Sequence, residues 1–211
     1  MRAPLIVALL ATFALLAFST TARAEDAKDF IQREHAQLEK VLHQPDSPGR
    51  DAEVNSGLDS FVDYDELTRR AFGEPCHPTL PNCEDIWASY DDAKKQEVGD
   101  LLKQLVRKSY RKNLLKTLDF DIAYKGLKDQ GNGDMRVYTE AQDKSKPHEP
   151  PVRVDYIVKQ TAHGYRVVDI VTEGSSLSKN YYDQFKKKMH DPALGYPNIV
   201  AKLREKIAKK D

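Results

Sequence analysis

Cysteine is scarce in this sequence: 211 residues hold two, Cys76 and Cys83, flanking His-Pro-Thr-Leu-Pro-Asn. They form neither a C-x-x-C redox pair nor a recognised zinc spacing. Catalytic signatures are missing too. There is no G-x-S-x-G, no H-E-x-x-H, no Walker loop and no G-x-G-x-x-G. No charge of one sign dominates, since 33 Lys and Arg face 33 Asp and Glu. That balance gives no general pull toward nucleic acid. Internal repeats are absent, and the longest apolar run, Leu5–Phe18, sits at the N-terminus. What remains after these exclusions is a binding or interaction protein without cofactor or metal.

The N-terminal run reads as a targeting segment. Arg2 gives a minimal basic start, Leu5–Phe18 is short for a membrane span, and Ala22-Arg23-Ala24 is an A-x-A cleavage site. A signal peptide over 1–24 is expected, with cleavage after Ala24; an uncleaved anchor is the alternative. Losing Arg2 and Arg23 leaves 31 basic residues against 33 acidic ones, a net charge near −2. Residues 25–211 are long enough to form one domain with a sizeable core. In an exported chain, Cys76 and Cys83 most simply form a disulfide. The competing metal reading needs His77 and a ligand from elsewhere.

Along the chain, Ala27–Leu42 carries Phe30, Ile31, Leu38, Val41 and Leu42 on one side of a helix. His35 and His43 lie near it; with no third ligand in sight, they are expected to face solvent. Gln44–Arg50 reads as a loop. Phe61–Phe72 is a further helix, with Asp63 and Glu66 spaced as a capping box. Ser89 is placed to cap the longest helix, where Val98, Leu101, Leu102, Leu105, Val106, Tyr110, Leu114, Leu115 and Leu118 form a wide apolar face.

Strand signals follow. Phe120, Ile122 and Tyr124 alternate, as do Met135–Ala141, with a Pro-rich loop over Lys144–Pro151. In Val152–Lys159, Val152, Val154, Tyr156 and Val158 share one face. Asp155 points the other way and is expected to be exposed. After a turn at Thr161–Gly164, the continuous run Val167, Val168, Ile170, Val171 suits an inner strand buried on both faces. Leu177, Tyr181, Phe185 and Met189 then recur at helical steps. A break at Asp191–Pro197 precedes a last helix, whose lysines, with Lys186–Lys188, are the only local basic excess: a solvated face or a docking patch for an acidic surface. Strands flanked by helices make the class α+β, a curved antiparallel sheet of about four strands with helices packed around it.

The string from Val154 to Phe185, with Asp155, Tyr156, Tyr165, Arg166, Val167, Asp169, Glu173, Gly174, Ser176, Leu177, Asn180, Tyr181 and Gln184, resembles the signature of the MlaC (toluene-tolerance) family of periplasmic phospholipid-binding proteins. Val62-Asp63-Tyr64, Leu67-Thr68-Arg69, Phe72-Gly73 and Trp87 fit its earlier block. The chain departs from the pattern at Tyr182, where Arg is common, and in an insert over Cys76–Cys83. Both are expected at surface or rim positions.

The resemblance implies a cone-like fold enclosing an apolar pocket. It also implies a periplasmic phospholipid carrier that works between an outer-membrane lipoprotein complex and an inner-membrane ABC transporter, and not an enzyme. The expected lipid-binding residues are Leu101, Leu105, Tyr110 and Leu114 on the long helix, Val154, Tyr156, Val158, Val168 and Ile170 on the strands, and Leu177, Tyr181 and Phe185 beyond them. Two alternatives stay open. A hopanoid or other polycyclic lipid could be the cargo, or an isomerase-like enzyme could use Asp169 as a buried acid; otherwise Asp169 is held by backbone donors or an Arg.

Overall fold

The fold comes from a computed structural model that describes residues 26–209 except 78 and 192–194, and omits the side chains of 112–114. The expected signal peptide therefore lies outside the described residues, as does the Leu114 side chain.

Helix α1 spans Ala27–Leu42. The Asp26 carboxylate caps it, accepting from the N–H groups of Lys28 and Asp29 at 2.9 Å. Helix α2, Pro48–Phe61, lies where the sequence suggested a loop and then nothing regular. Ser47 caps it and Pro48 starts it, a position where a missing N–H costs nothing. Helix α3, Tyr64–Ala71, opens on Asp63, whose carboxylate accepts from the N–H of Glu66. The other half of the capping box does not form. The Glu66 carboxylate turns instead to Arg70 and Lys159, and the Asp63 N–H goes to the carbonyl of Val167.

Helix α4 runs from Asp92 to Thr117. Asp91 caps it, not Ser89, whose hydroxyl closes a short turn by donating to Ile86. Helix α5 spans Leu177–Met189 and α6 Gly195–Ala208. The α6 start includes Pro197, expected to be part of a break; in the first turn a proline is tolerated.

The sheet holds five antiparallel strands in the order β1-β2-β3-β4-β5: Phe120–Asp129, Asp134–Asp143, Val152–Thr161, Gly164–Thr172 and Ser175–Ser176. The α+β expectation stands. The fifth strand is a two-residue turn-back across β4 that no periodicity could signal. β1 runs on through Gly126 to Asp129, past a bulge after Tyr124, and a second bulge follows Ile157. Such bulges bend strands and raise local twist, which curves this sheet.

Register decides which side chains share the inner face. Tyr156 stands between Val137 and Ile170, and Val154 pairs with Thr172. Toward one end this face presents Val137, Val158 and Val167, all fully buried in the core that also holds Phe30, Phe61, Leu102 and Leu203 of the helices. Toward the other end it presents Ile122, Ala141, Val154 and Ile170, and there the helices do not close onto it.

On the outer face, Asp155 is 0% exposed, contrary to expectation. The Arg136 guanidinium on the neighbouring strand covers it, Nε to carboxylate at 3.0 Å. Alternation settles which face a residue takes, not whether that face is wet.

Candidate functional site: an apolar cavity between sheet and helices

The uncovered half of the inner face forms a cavity of about 870 Å³. That is at the upper end of the range for small-molecule sites. Strands β1 to β4 supply Ile122, Tyr124, Ala141, Val154, Tyr156, Ile170 and Thr172. Helices α1, α2 and α4 supply His35, Leu38, Leu42, Phe61, Val106 and Tyr110, and α5 supplies Leu177 and Tyr181. Exposed polar residues, among them Gln32, Glu39, Lys116, Asp121, Lys144 and Asn180, mark the opening.

Of the residues expected from sequence, Tyr110, Val154, Tyr156, Ile170, Leu177 and Tyr181 come together on this wall. Leu101, Leu105, Val158 and Phe185 pack in the closed core instead, and Val168 is buried away from the cavity. For Phe185 the reason is visible: its ring stacks on Phe72 with centroids 4.6 Å apart. Helix α4 uses its N-terminal half to fill the core and Val106, Ser109 and Tyr110 to face the space, so one apolar stripe serves two surfaces.

His35 corrects an expectation. It faces the cavity, not solvent. Its Nδ1 lies 2.8 Å from the Tyr124 hydroxyl, and its ring packs edge-on against Tyr156 with centroids 5.1 Å apart. Burial lowers its pKa to about 4, so the imidazole is neutral at ordinary pH. A signal was present: His35 follows Ile31 by four and precedes Leu38 by three, on the same helix face. His43 is exposed beside Glu39.

Asp169 does not line the cavity. Its carboxylate accepts from Ser176 Oγ at 2.6 Å, Ser178 Oγ at 2.9 Å and the N–H groups of Ser178 and Ile170 at 2.9 Å. It joins β4 to the start of α5, the helix that carries Leu177 and Tyr181. Among the described residues no cluster of His, Cys, Asp or Glu suits a metal ion.

The departures from the family pattern meet behind α5. A disulfide joins Cys76 and Cys83 with Cα atoms 5.8 Å apart. Tyr182 is 2% exposed, not a rim residue, and its hydroxyl accepts from the Glu84 N–H at 2.7 Å. His190 adds a contact to the Glu84 carboxylate, and Lys186 donates to the carbonyl of Asn82. The insert is thus docked on α5, and Tyr182 is the residue that receives it. On α6, Arg204 pairs with Glu97 and Lys202 with Glu205, which answers part of the local basic excess within the chain.

Comparison with known proteins agrees with this architecture. One similar solved structure is a phospholipid-binding protein from Ralstonia solanacearum, in complex with a phospholipid. The two share 22% identity and superpose with a TM-score of 0.69, over 87% of this chain and 98% of that one. At that identity the likeness speaks for the fold. Comparison with curated proteins gives no match. The model of the MlaC protein family matches residues 29–205, all six helices and the whole sheet but for the last residues of α6 and the start of α1, and the chain belongs to the MlaC family.

Proposed function

We propose that this protein is a periplasmic phospholipid carrier that encloses acyl chain in the cavity between sheet and helices and leaves the head group at the polar opening. The cavity carries this reading: a curved sheet and four helices leave about 870 Å³ lined mainly by aliphatic and aromatic groups. Family membership and the phospholipid complex of the Ralstonia relative support it.

The physics says why a protein is needed. Each CH₂ brought into water costs about 0.8 kcal/mol, so a long acyl chain costs on the order of 10 kcal/mol to take out of a bilayer. Contact with Val154, Tyr156, Ile170, Leu177 and Tyr181 offsets that cost, so loading is close to isoenergetic. Direction is then set by donor and acceptor. We assign those roles to an outer-membrane lipoprotein complex and an inner-membrane ABC transporter, with residues 1–24 directing export and 25–211 acting as one lipid-binding domain. The role is carriage, not catalysis: Asp169, the acid an isomerase-like reading requires, is spent on four structural hydrogen bonds away from the cavity.

Extraction of the purified protein and mass spectrometry of the extract test the reading. Phospholipid near one molecule per chain is expected, and less of it in a Val154→Trp, Ile170→Trp variant that fills the wall. Protein that consistently purifies without lipid, and takes none from vesicles, overturns it.

A further inference from the structure

One part of the cavity wall is polar. His35 of α1, Tyr124 of β1, Tyr156 of β3 and Tyr110 of α4 reach it from four elements. His35 and Tyr124 satisfy one another through the contact at 2.8 Å. Thr139, a further hydroxyl on the wall, is spent on the carbonyl of Val154. Tyr110 and Tyr156 are different. Neither phenol makes a hydrogen bond to a described residue, and neither oxygen is sealed off from the open space.

A tyrosine hydroxyl set into an apolar wall without a partner is costly, and such groups usually have one. Burial raises the pKa of both phenols, so each stays protonated and remains a donor. Two donors on facing elements call for acceptors on whatever fills the cavity. The bare methylenes of an acyl chain have none. A carboxylate or phosphate has acceptors but brings charge, and the neighbouring imidazole is neutral and offers nothing to offset it. An uncharged carbonyl attached to a long chain satisfies both requirements.

We propose that Tyr110 and Tyr156 form a subsite for the ester carbonyls of a diacyl lipid, holding the glycerol end of its chains within the wall. This rests on the reading of the protein as a lipid carrier. His35 is a positioning residue: its ring edge packs on Tyr156 and its nitrogen occupies Tyr124, which leaves the other two phenols to the ligand. The consequence is discrimination between linkages, diester over diether, at equal chain length and head group.

The test uses mixed vesicles holding equal amounts of a dipalmitoyl ester phosphatidylglycerol and its dihexadecyl ether analogue. Full-length exported protein is incubated with them, re-isolated, and its bound lipid counted by mass spectrometry. Wild type should enrich the diester about tenfold. Tyr110→Phe, Tyr156→Phe, which keeps both rings, should bring the ratio close to one. Equal uptake of ester and ether by wild type overturns the subsite and leaves the carrier reading standing; so does a preference that persists in the double variant. Uptake of neither lipid overturns the carrier reading itself. The wild-type comparison needs no variant, so misfolding of the double substitution cannot shelter the proposal.

Discussion

Replacing Asp169 tests how the sheet is tied to the helix that completes the cavity. Its carboxylate is 2% exposed and accepts four hydrogen bonds, two from serine hydroxyls and two from backbone N–H groups. Bonds to a charged group are worth about 1.5–3 kcal/mol each, though four that share one carboxylate do not add fully. Asp169→Ala leaves the buried Ser178 N–H and two hydroxyls without an acceptor, and should cost about 3–5 kcal/mol. Asp169→Asn keeps an oxygen for the backbone donors and turns an amide toward hydroxyls that can rotate to accept. Its cost should be about 1–2 kcal/mol. Urea unfolding followed by circular dichroism reads both, with the slope unchanged and the midpoints ordered wild type, Asn, Ala. A loss below about 1 kcal/mol in the alanine variant refutes the reasoning. The asparagine variant should also carry as much lipid per folded chain as wild type. Lost cargo at undiminished stability would mean the carboxylate acts within the cavity after all.

Three further predictions concern stability. His35 has its pKa held down to about 4 in the folded state against 6.5 unfolded, amid the rings of Phe61, Tyr124 and Tyr156. Stability should therefore be full above pH 6.5 and fall as pH drops toward 4, because the unfolded chain takes the proton first; the loss is at most about 3 kcal/mol. Urea midpoints from pH 7 to 4.5 should show a smaller drop in His35→Gln than in wild type, and parallel curves would contradict this. The Cys76–Cys83 bond closes a short loop, so Cys76→Ser, Cys83→Ser should cost about 2–3 kcal/mol in a thermal melt while lipid content holds. Gly73 has φ +88°, and a Cβ there would stand 2.2 Å from the backbone oxygen of Glu84. Gly73→Ala should destabilise by more than about 3 kcal/mol, and a melt within a degree of wild type would be incompatible with that packing.

The alternation in Val152–Lys159 and the apolar run Val167–Val171, interrupted only by Asp169, are enough to place β3 and β4 and to put Val154 and Tyr156 on one face, because side-chain direction in a strand is local. What lies opposite that face is not local. Leu102, Val106 and Tyr110 follow at four-residue steps along one side of α4, yet Leu102 meets core and Tyr110 the cavity, according to where helices from distant parts of the chain stop covering the sheet. Helix α2 leaves a weak trace in the sequence because Gly49, Asn55 and Gly57 weaken propensity and its buried residues, Val54, Leu58 and Phe61, are few. Asp155 is buried where alternation alone suggests exposure, because its shield, Arg136, comes from another strand. His35 was legible in part: its spacing matched the apolar stripe of α1, but only Tyr124 and Tyr156, far along the chain, make that position a cavity wall.

The central claim is that the space beneath β1 to β4 receives an acyl chain. Diffraction at the bromine edge from crystals loaded with a phospholipid brominated midway along its chains tests it most directly. The anomalous signal should fall inside the cavity, among Val154, Ile170 and Tyr181. Bromine found only on the outer surface of the loaded protein, with the cavity free of it, would contradict the account.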